Sequence, residues 1–404
     1  MKRWLTIIGI GENGMDGLGA EALRRLQEAH VVFGGKRHLE FLPADIGAER
    51  IAWPSPFPAG YEMLLERKGR AVVVLASGDP MFYGVGASLT RIVNPDEMQV
   101  MPFPSSFSLA TARMGWPLQD VRLLSVHGRP LDVLNIHFLP GARLLVLSND
   151  GDTPAAIAAM LATRGFGESL VTVLEHLGGS KERLVRGIAG QWNAPRNADL
   201  NVVAVECRAG ADAQYFSTMN GLPDTAFAHD GQLTKRDIRA ITLSRLAPLP
   251  GQLLWDVGAG CGSIGIEWMR SHATCRAIAV EAHAGRRELI DRNRRSLGVP
   301  GLQIIGGEAP SALEELERPD AIFIGGGFTG ENVPDLCWDA LRPGGRFVAN
   351  AVTIESEAGL VAWRKKHGGE LTRISVSHSE ALGGFQTFRP TLPVTILSSV
   401  KPVD

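Results

Sequence analysis

The sequence predicts an α/β protein made of two unlike domains, the second built on a mainly parallel sheet. Three observations point there. Strand-sized apolar runs alternate with helix-length segments along both halves of the chain, as in strands buried on both faces and joined by right-handed crossovers. A glycine-rich turn follows the first strand of each half, at the sheet edge where open α/β folds receive ligands. Between the halves, the stretch 209–223 is small, polar and without a regular period, so it reads as a linker. The domains follow as 1–210 and 225–404 with the linker at about 211–224, and the unlike motif spacing argues against an internal repeat.

Element by element, residues 4–10 form an apolar strand, glycines crowd positions 9 to 19, and a helix runs over 20–29. Further strands are expected at 71–75, 99–101, 123–125, 143–147, 170–174 and 202–205. Beyond the linker, 234–246 reads as a helix that the prolines at 248 and 250 stop. Strand 252–257, a glycine turn, helix 263–271, strand 276–280, helix 284–297 and strand 303–305 come next. Strand 321–324, helix 333–341 and strand 346–349 complete the series.

Composition narrows the function. With 45% hydrophobic and 21% charged residues, the chain has material for sizeable cores and no case for disorder. Lysine plus arginine is 41 against 43 acidic residues, a net charge of −2, which argues against a nucleic-acid binder relying on overall charge. No apolar run approaches the ~18 residues of a membrane span. The start runs directly into a strand and glycine loop, unlike a signal peptide. Four cysteines lack CxxC or metal-ligand spacing, so no metal is expected and a reducing cytoplasm fits.

The sharpest signal is the run from Asp256 to Gly265, which follows a strand and opens a helix. Glycines at 258, 260 and 262 let bare main chain approach a ligand, and Glu281 closes the next strand, where a carboxylate accepts ribose hydroxyls. A nicotinamide-dependent oxidoreductase would use a similar strand, loop and acid. Against it, Asp256 places a carboxylate where a pyrophosphate would sit, and the GxGxxG spacing at 260, 262 and 265 starts too late after the strand. A cationic ligand suits the loop better.

This half resembles the class I S-adenosylmethionine-dependent methyltransferases, Rossmann-like enzymes whose first motif is acid-x-Gly-x-Gly-x-Gly. The resemblance implies that Asp256, Gly258, Gly260 and Gly262 cradle the methionine moiety, that Glu281 binds ribose, and that Glu308 and Ala309 lie beside the adenine. Position 308 is glutamate where many such enzymes carry aspartate.

The first half offers Gly9 and Gly11 in one loop, and Ser77-Gly78-Asp79-Pro80 at the end of a later strand. Together these resemble the tetrapyrrole methylase fold, whose corresponding loops line the clefts for S-adenosylmethionine and macrocycle. Residues 104–110, 115–117 and 125–130 resemble its corrin-pathway branch. The two halves joined in one chain are similar to the bifunctional, decarboxylating corrin-ring methyltransferases of cobalamin biosynthesis. The resemblance implies a precorrin substrate, methylation of carbon 5 by the first half, and methylation of carbon 15 with loss of the ring C acetate carboxyl by the second. It further implies one S-adenosylmethionine site per domain and a homo-oligomer.

Methyl transfer from a sulfonium is an in-line displacement in which positioning does most of the work, and electron-rich ring carbons attack without an obligatory strong base. The macrocycle itself is the electron sink for decarboxylation. Such a substrate carries many carboxylates, so cationic side chains are expected near each cleft. Lys235 and Arg236 are candidates in the second half, with solvated helix charges as the plain alternative. Arg129 is a candidate in the first half, and His127 beside it is either a hydrogen-bond donor to substrate or a structural histidine.

Overall fold

The computed structural model describes residues 3–403, which divide into two units. The first comprises the chain up to Arg129 together with Phe138–Gln214; the second comprises Pro130–His137 and the chain from Tyr215 onward. The 130–137 turn is tied into the second unit by Asn135, whose Nδ2 donates to the Arg295 carbonyl at 2.9 Å.

In the first unit, β1 (Leu5–Ile10), β2 (Val31–Gly34), β3 (Glu49–Ala52), β4 (Val72–Ser77) and β5 (Met98–Met101) form a parallel sheet in the order β3-β2-β4-β1-β5. The two central strands are apolar because both faces are covered. Leu5, Ile7, Val72 and Val74 enter the core on one side, and Ile8, Ile10, Val73 and Leu75 enter the core on the other. A second sheet holds β6 (Arg122–Ser125), β7 (Arg143–Leu147), β8 (Leu170–Glu175), β9 (Arg183–Ile188) and β10 (Asn201–Glu206) in the order β6-β7-β10-β8-β9. Only its β6–β7 pair is parallel; its other pairings are antiparallel.

Strands β2, β3 and β9 are absent from the sequence reading. β2 is a buried apolar run of four residues like those expected elsewhere, whereas β3 and β9 are edge strands whose charged, partly exposed residues break any apolar run.

The second unit carries β11 (Leu253–Val257), β12 (Arg276–Glu281), β13 (Gln303–Gly306), β14 (Ala321–Ile324) and β15 (Arg346–Ala351), all parallel. Beyond the last expected strand lie a helix, Ile354–His367, then β16 (Glu370–Ile374), an exposed hairpin of β17 (Ser377–Leu382) and β18 (Phe385–Pro390), and β19 (Val394–Val400). The sheet order is β13-β12-β11-β14-β15-β19-β16, with β19 antiparallel to both neighbours. From β11 the chain runs outward through β12 and β13, then returns to β14 on the other side. The carboxyl ends of β11 and β14 therefore flank the crevice at which such sheets bind ligands. Among the described residues no helix is long and apolar enough to cross a membrane.

Candidate active sites

At the carboxyl ends of β1 and β4, the first unit opens into a cavity of about 1130 Å³. The two strands pair in register, Gly9 opposite Ala76 and Ile10 opposite Ser77, which sets their loops side by side. Gly11, Ser77, Gly78 and Asp79 line the cavity, as do His127 and Arg129 from the loop after β6. Gly9 does not. It is buried behind them, where a Cβ would sit 2.0 Å from the Gly78 carbonyl oxygen and 2.6 Å from the Phe103 amide nitrogen. The first glycine of the motif thus serves the approach of one loop to another. Asp79 folds its own turn, with Oδ1 accepting from the Met81 amide at 2.9 Å.

The wall of this cavity is aromatic. Trp53, Phe57, Phe82, Tyr83 and Phe107 line it, and the Arg129 guanidinium lies 5.5 Å from the Tyr83 ring centroid. A flat, anionic ligand finds there a face to stack on and a cation to meet. A further polar cluster escaped the sequence reading. Arg37 donates to Glu12 Oε1 at 2.5 Å and to Ser77 Oγ at 3.0 Å, while His38 Nε2 lies 2.9 Å from the same hydroxyl. Glu12 Oε2 is 2.9 Å from Nδ1 of His176, a residue held at the unusual φ of 47°. Glu12, Arg37 and His38 all line the cavity. Their signal was hidden because charged and polar residues just after a strand read as solvated until the neighbouring strand ends are known.

In the second unit the glycine loop bridges β11 and the helix Ser263–Ser271. Gly260 has φ +61°, and a Cβ there would approach the Gln232 carbonyl oxygen to 3.2 Å. Gly258 lies against the 325–327 triplet after β14, its Cβ position 3.1 Å from the Gly326 carbonyl oxygen. Glu281, at the end of β12, is 6% exposed and ties the loop in place: Oε2 accepts from the Gly260 amide at 2.8 Å, Oε1 from the His283 amide at 2.9 Å. Each oxygen keeps a lone pair, so two vicinal hydroxyls would still find acceptors. Glu308 is exposed in the turn after β13, and Ala309 packs on the core beneath it. Cys261 is a buried filler whose thiol burial pushes up to about 11.

Asp256 sits beneath the loop, 1% exposed, with Oδ2 accepting from the Gly265 amide at 2.9 Å and Oδ1 without a protein partner. Burial, with a smaller push from Glu281, raises its carboxyl to about 7. The unfolded carboxyl ionises at about 3.9, so the folded protein holds this proton across the interval between. The contribution to stability is full below about pH 4 and is lost as pH rises toward 7. Thermal melts of the wild type relative to Asp256→Asn are expected to show the wild type losing ground over that window. A bound cation favours the ionised form, so cation affinity at this site should rise over the same interval in the wild type and stay flat in the variant. Parallel melting curves would refute the assignment.

The stretch from Gly221 to Lys235 is pinned against the loop. Asn293, 1% exposed, accepts from the Ala228 amide at 2.8 Å and donates to the carbonyls of Ala228 and Cys261 at 2.9 and 3.0 Å. Arg286 bonds Asp230 at 2.9 Å. Lys235 is exposed at the start of the helix Arg236–Leu246, its Nζ 3.9 Å from Asp224. Arg236 spends its Nε on the Gly221 carbonyl at 2.8 Å, leaving its terminal nitrogens for another acceptor. Among the described residues no cluster of three or more metal-ligating side chains gathers.

These sites sit in a chain with clear relatives. Residues 4–192 match the family model for tetrapyrrole (corrin/porphyrin) methylases, and residues 225–401 match that for a precorrin methyltransferase domain. The chain is 49% identical over 398 residues to a Sinorhizobium protein named precorrin-6Y C(5,15)-methyltransferase (decarboxylating), covering 98% of this chain and 96% of that one. A Salmonella typhimurium protein named cobalt-precorrin-7 C(5)-methyltransferase is 33% identical over 45% of this chain and 88% of its own. A Saccharolobus solfataricus protein named probable cobalt-precorrin-6B C(15)-methyltransferase (decarboxylating) is 30% identical over 45% of this chain and 96% of its own. None of these matches favours an oxidoreductase.

Proposed function

The chain belongs to the precorrin-6Y C(5,15)-methyltransferase (decarboxylating) family, and from that membership we propose that its two units divide the family's chemistry, each with its own S-adenosylmethionine site. It is an S-adenosylmethionine-dependent C-methyltransferase of cobalamin biosynthesis with a precorrin as substrate. The first unit serves carbon 5; the second serves carbon 15 and the decarboxylation. The half-length relatives, one named for each carbon, support this division. The observation that carries it is that each unit has its own glycine-rich turn at the carboxyl ends of parallel strands.

As methyl-donating cosubstrate, S-adenosylmethionine supplies an electrophilic methyl on a sulfonium. In the second unit, the glycine turn presents main chain to it, Asp256 beneath the turn ionises as the cation binds, and Glu281 offers its spare lone pairs to the ribose. Glu308 and Ala309 border the adenine. Lys235 and the terminal nitrogens of Arg236 meet substrate carboxylates and fix the acetate for decarboxylation, for which the conjugated ring takes the electrons. In the first unit Gly11, Ser77, Gly78 and Asp79 border the cosubstrate, with Gly9 supporting them from behind. The aromatic wall stacks the macrocycle, and Arg129 and His127 face its carboxylates.

Titration calorimetry of the full chain with S-adenosylmethionine tests the count. Two sites are expected in the wild type and one in Gly260→Val, because the added side chain fills the approach beside the Gln232 carbonyl. A single site in the wild type, or two unchanged sites in the variant, would refute the scheme.

A further inference from the structure

Replacing a ring hydrogen by methyl, while a sulfonium becomes a neutral thioether, releases one proton for every methyl added. Atom and charge balance demand an acceptor for it. The reading so far names none, and the first unit's cavity contains a group built for the task.

Ser77 Oγ stands at the cavity wall between Arg37 and His38. Arg37 has donors only, so it gives a hydrogen to Ser77 Oγ at 3.0 Å and faces the lone pair of His38 Nε2 at 3.3 Å. With Nε2 an acceptor, the Ser77 hydroxyl is the donor in the 2.9 Å bond between them. The serine oxygen therefore keeps a lone pair for the cavity while its hydrogen already points at an imidazole nitrogen. Arg37 is itself held by Glu12, and Glu12 by His176, so the direction of the chain is fixed.

We propose that Ser77 and His38 form the proton-accepting pair for methylation of carbon 5, Ser77 as the catalytic residue at the substrate and His38 as the positioning residue that stores the proton behind it. The proposal rests on the reading of this cavity as the carbon 5 site. In the step, the ring π electrons form the new C–CH₃ bond as the S–CH₃ bond breaks and the thioether leaves. The C–H proton at the methylated carbon passes to Ser77 Oγ, the serine's own hydrogen moves to His38 Nε2 as the Arg37 N–H shared with that lone pair swings wholly to Ser77 Oγ, and the C–H electron pair restores conjugation. The imidazole then returns its proton to solvent.

The charged surroundings suit a transient acceptor. Burial and the Arg37 charge hold His38 down at about 4, against a smaller opposite push from Glu12, so the imidazole is neutral at physiological pH and holds a proton only briefly. An imidazolium beside Arg37 is unfavourable, which drives the proton onward. Three carboxylates line the cavity and are otherwise engaged, Asp199 by the Gly151 amide and Arg196. Both Glu12 oxygens are bonded, to Arg37 and His176, and Asp79 spends one of its oxygens on its own turn. Asp79 is the rival acceptor that the experiment must separate.

The test uses the full chain, precorrin substrate and methyl-labelled S-adenosylmethionine, reading carbon 5 and carbon 15 separately in single turnovers. At saturating cosubstrate, Ser77→Ala and His38→Ala are expected to slow carbon 5 by about 100-fold, with carbon 15 unaffected and, in His38→Ala, cosubstrate affinity held. Added imidazole should restore part of the carbon 5 rate in His38→Ala and none in Ser77→Ala. The restored rate should follow the ionisation of free imidazole from pH 6 to 8, where the wild type is flat. A near-wild-type carbon 5 rate in Ser77→Ala would pass the role to Asp79 and overturn the proposal, as would a His38→Ala defect that imidazole leaves untouched. Ser106→Trp, which fills the cavity from its wall, separates this failure from failure of the underlying reading: if it leaves carbon 5 methylation intact, the cavity is not the carbon 5 site.

Discussion

Gly9→Ala is expected to abolish carbon 5 methylation and to loosen the first unit, while leaving carbon 15 methylation in place. The added methyl would stand 2.0 Å from the Gly78 carbonyl oxygen and 2.6 Å from the Phe103 amide nitrogen. Both are backbone atoms, so no side chain can swing aside to relieve the overlap. Strand β1 is fully buried and paired on both sides, so it cannot retreat either. The cost should lie at the top of the usual overpacking range, about 3 kcal/mol. Hydrogen exchange resolved by unit would read it as faster exchange along β1 and β4 with β11 and β14 unchanged. Wild-type protection of β1 in the variant would show that the loops have slack the geometry does not reveal. The result would also separate two roles of the motif, since Gly9 acts on the neighbouring loop and Gly11 on the cavity.

The second large effect is expected at Arg239, whose side chain is fully buried. Its Nε bonds Glu267 at 2.6 Å, its Nη1 bonds Asp224 at 3.1 Å and the Thr234 carbonyl, and its Nη2 bonds the Leu222 carbonyl. Glu267, equally buried, also accepts from the amides of Gly221 and Leu222 at 2.6 and 3.1 Å. One guanidinium thus ties both ends of the stretch that lies over the glycine loop. Arg239→Met leaves the Glu267 charge buried without its cation and should cost about 3–5 kcal/mol in urea unfolding of the second unit. Adding Glu267→Gln removes that stranded charge while keeping an acceptor for one of the two amides, so the double variant should recover part of the loss. If the double variant is worse than the single one, the stranded charge is not the source of the cost.

Much of this is legible in the amino-acid sequence, and the reason differs by element. Strands β1, β4, β11 and β14 announce themselves because burial on both faces forces an unbroken apolar run. The edge strands β3, β9 and β16 carry charges at their exposed positions, and the hairpin β17–β18 is exposed at all but Glu380 and Thr387. The helix Ile354–His367 buries only Leu360 and Trp363, too few positions to print a period. The second site is largely local in sequence, since Asp256, the glycines and Glu281 lie on two successive strand ends. The Glu12, Arg37, His38 and Ser77 cluster draws on three separate elements, one reached through β2, which is absent from the sequence reading. The Arg239–Glu267 pair was invisible for a simpler reason: a charged residue on a helix reads as solvated until its neighbours are known.

The double anchoring of Glu281 has a consequence for selectivity. Its carboxylate is frozen into one rotamer by two main-chain donors before any ligand arrives. The entropy of ordering that side chain, about 0.5–1.5 kcal/mol, is therefore spent during folding and does not weaken association. Aspartate, one methylene shorter, would have to give up one of the two anchors to reach the same hydroxyls, so the length of this side chain is selected by the loop as much as by the sugar.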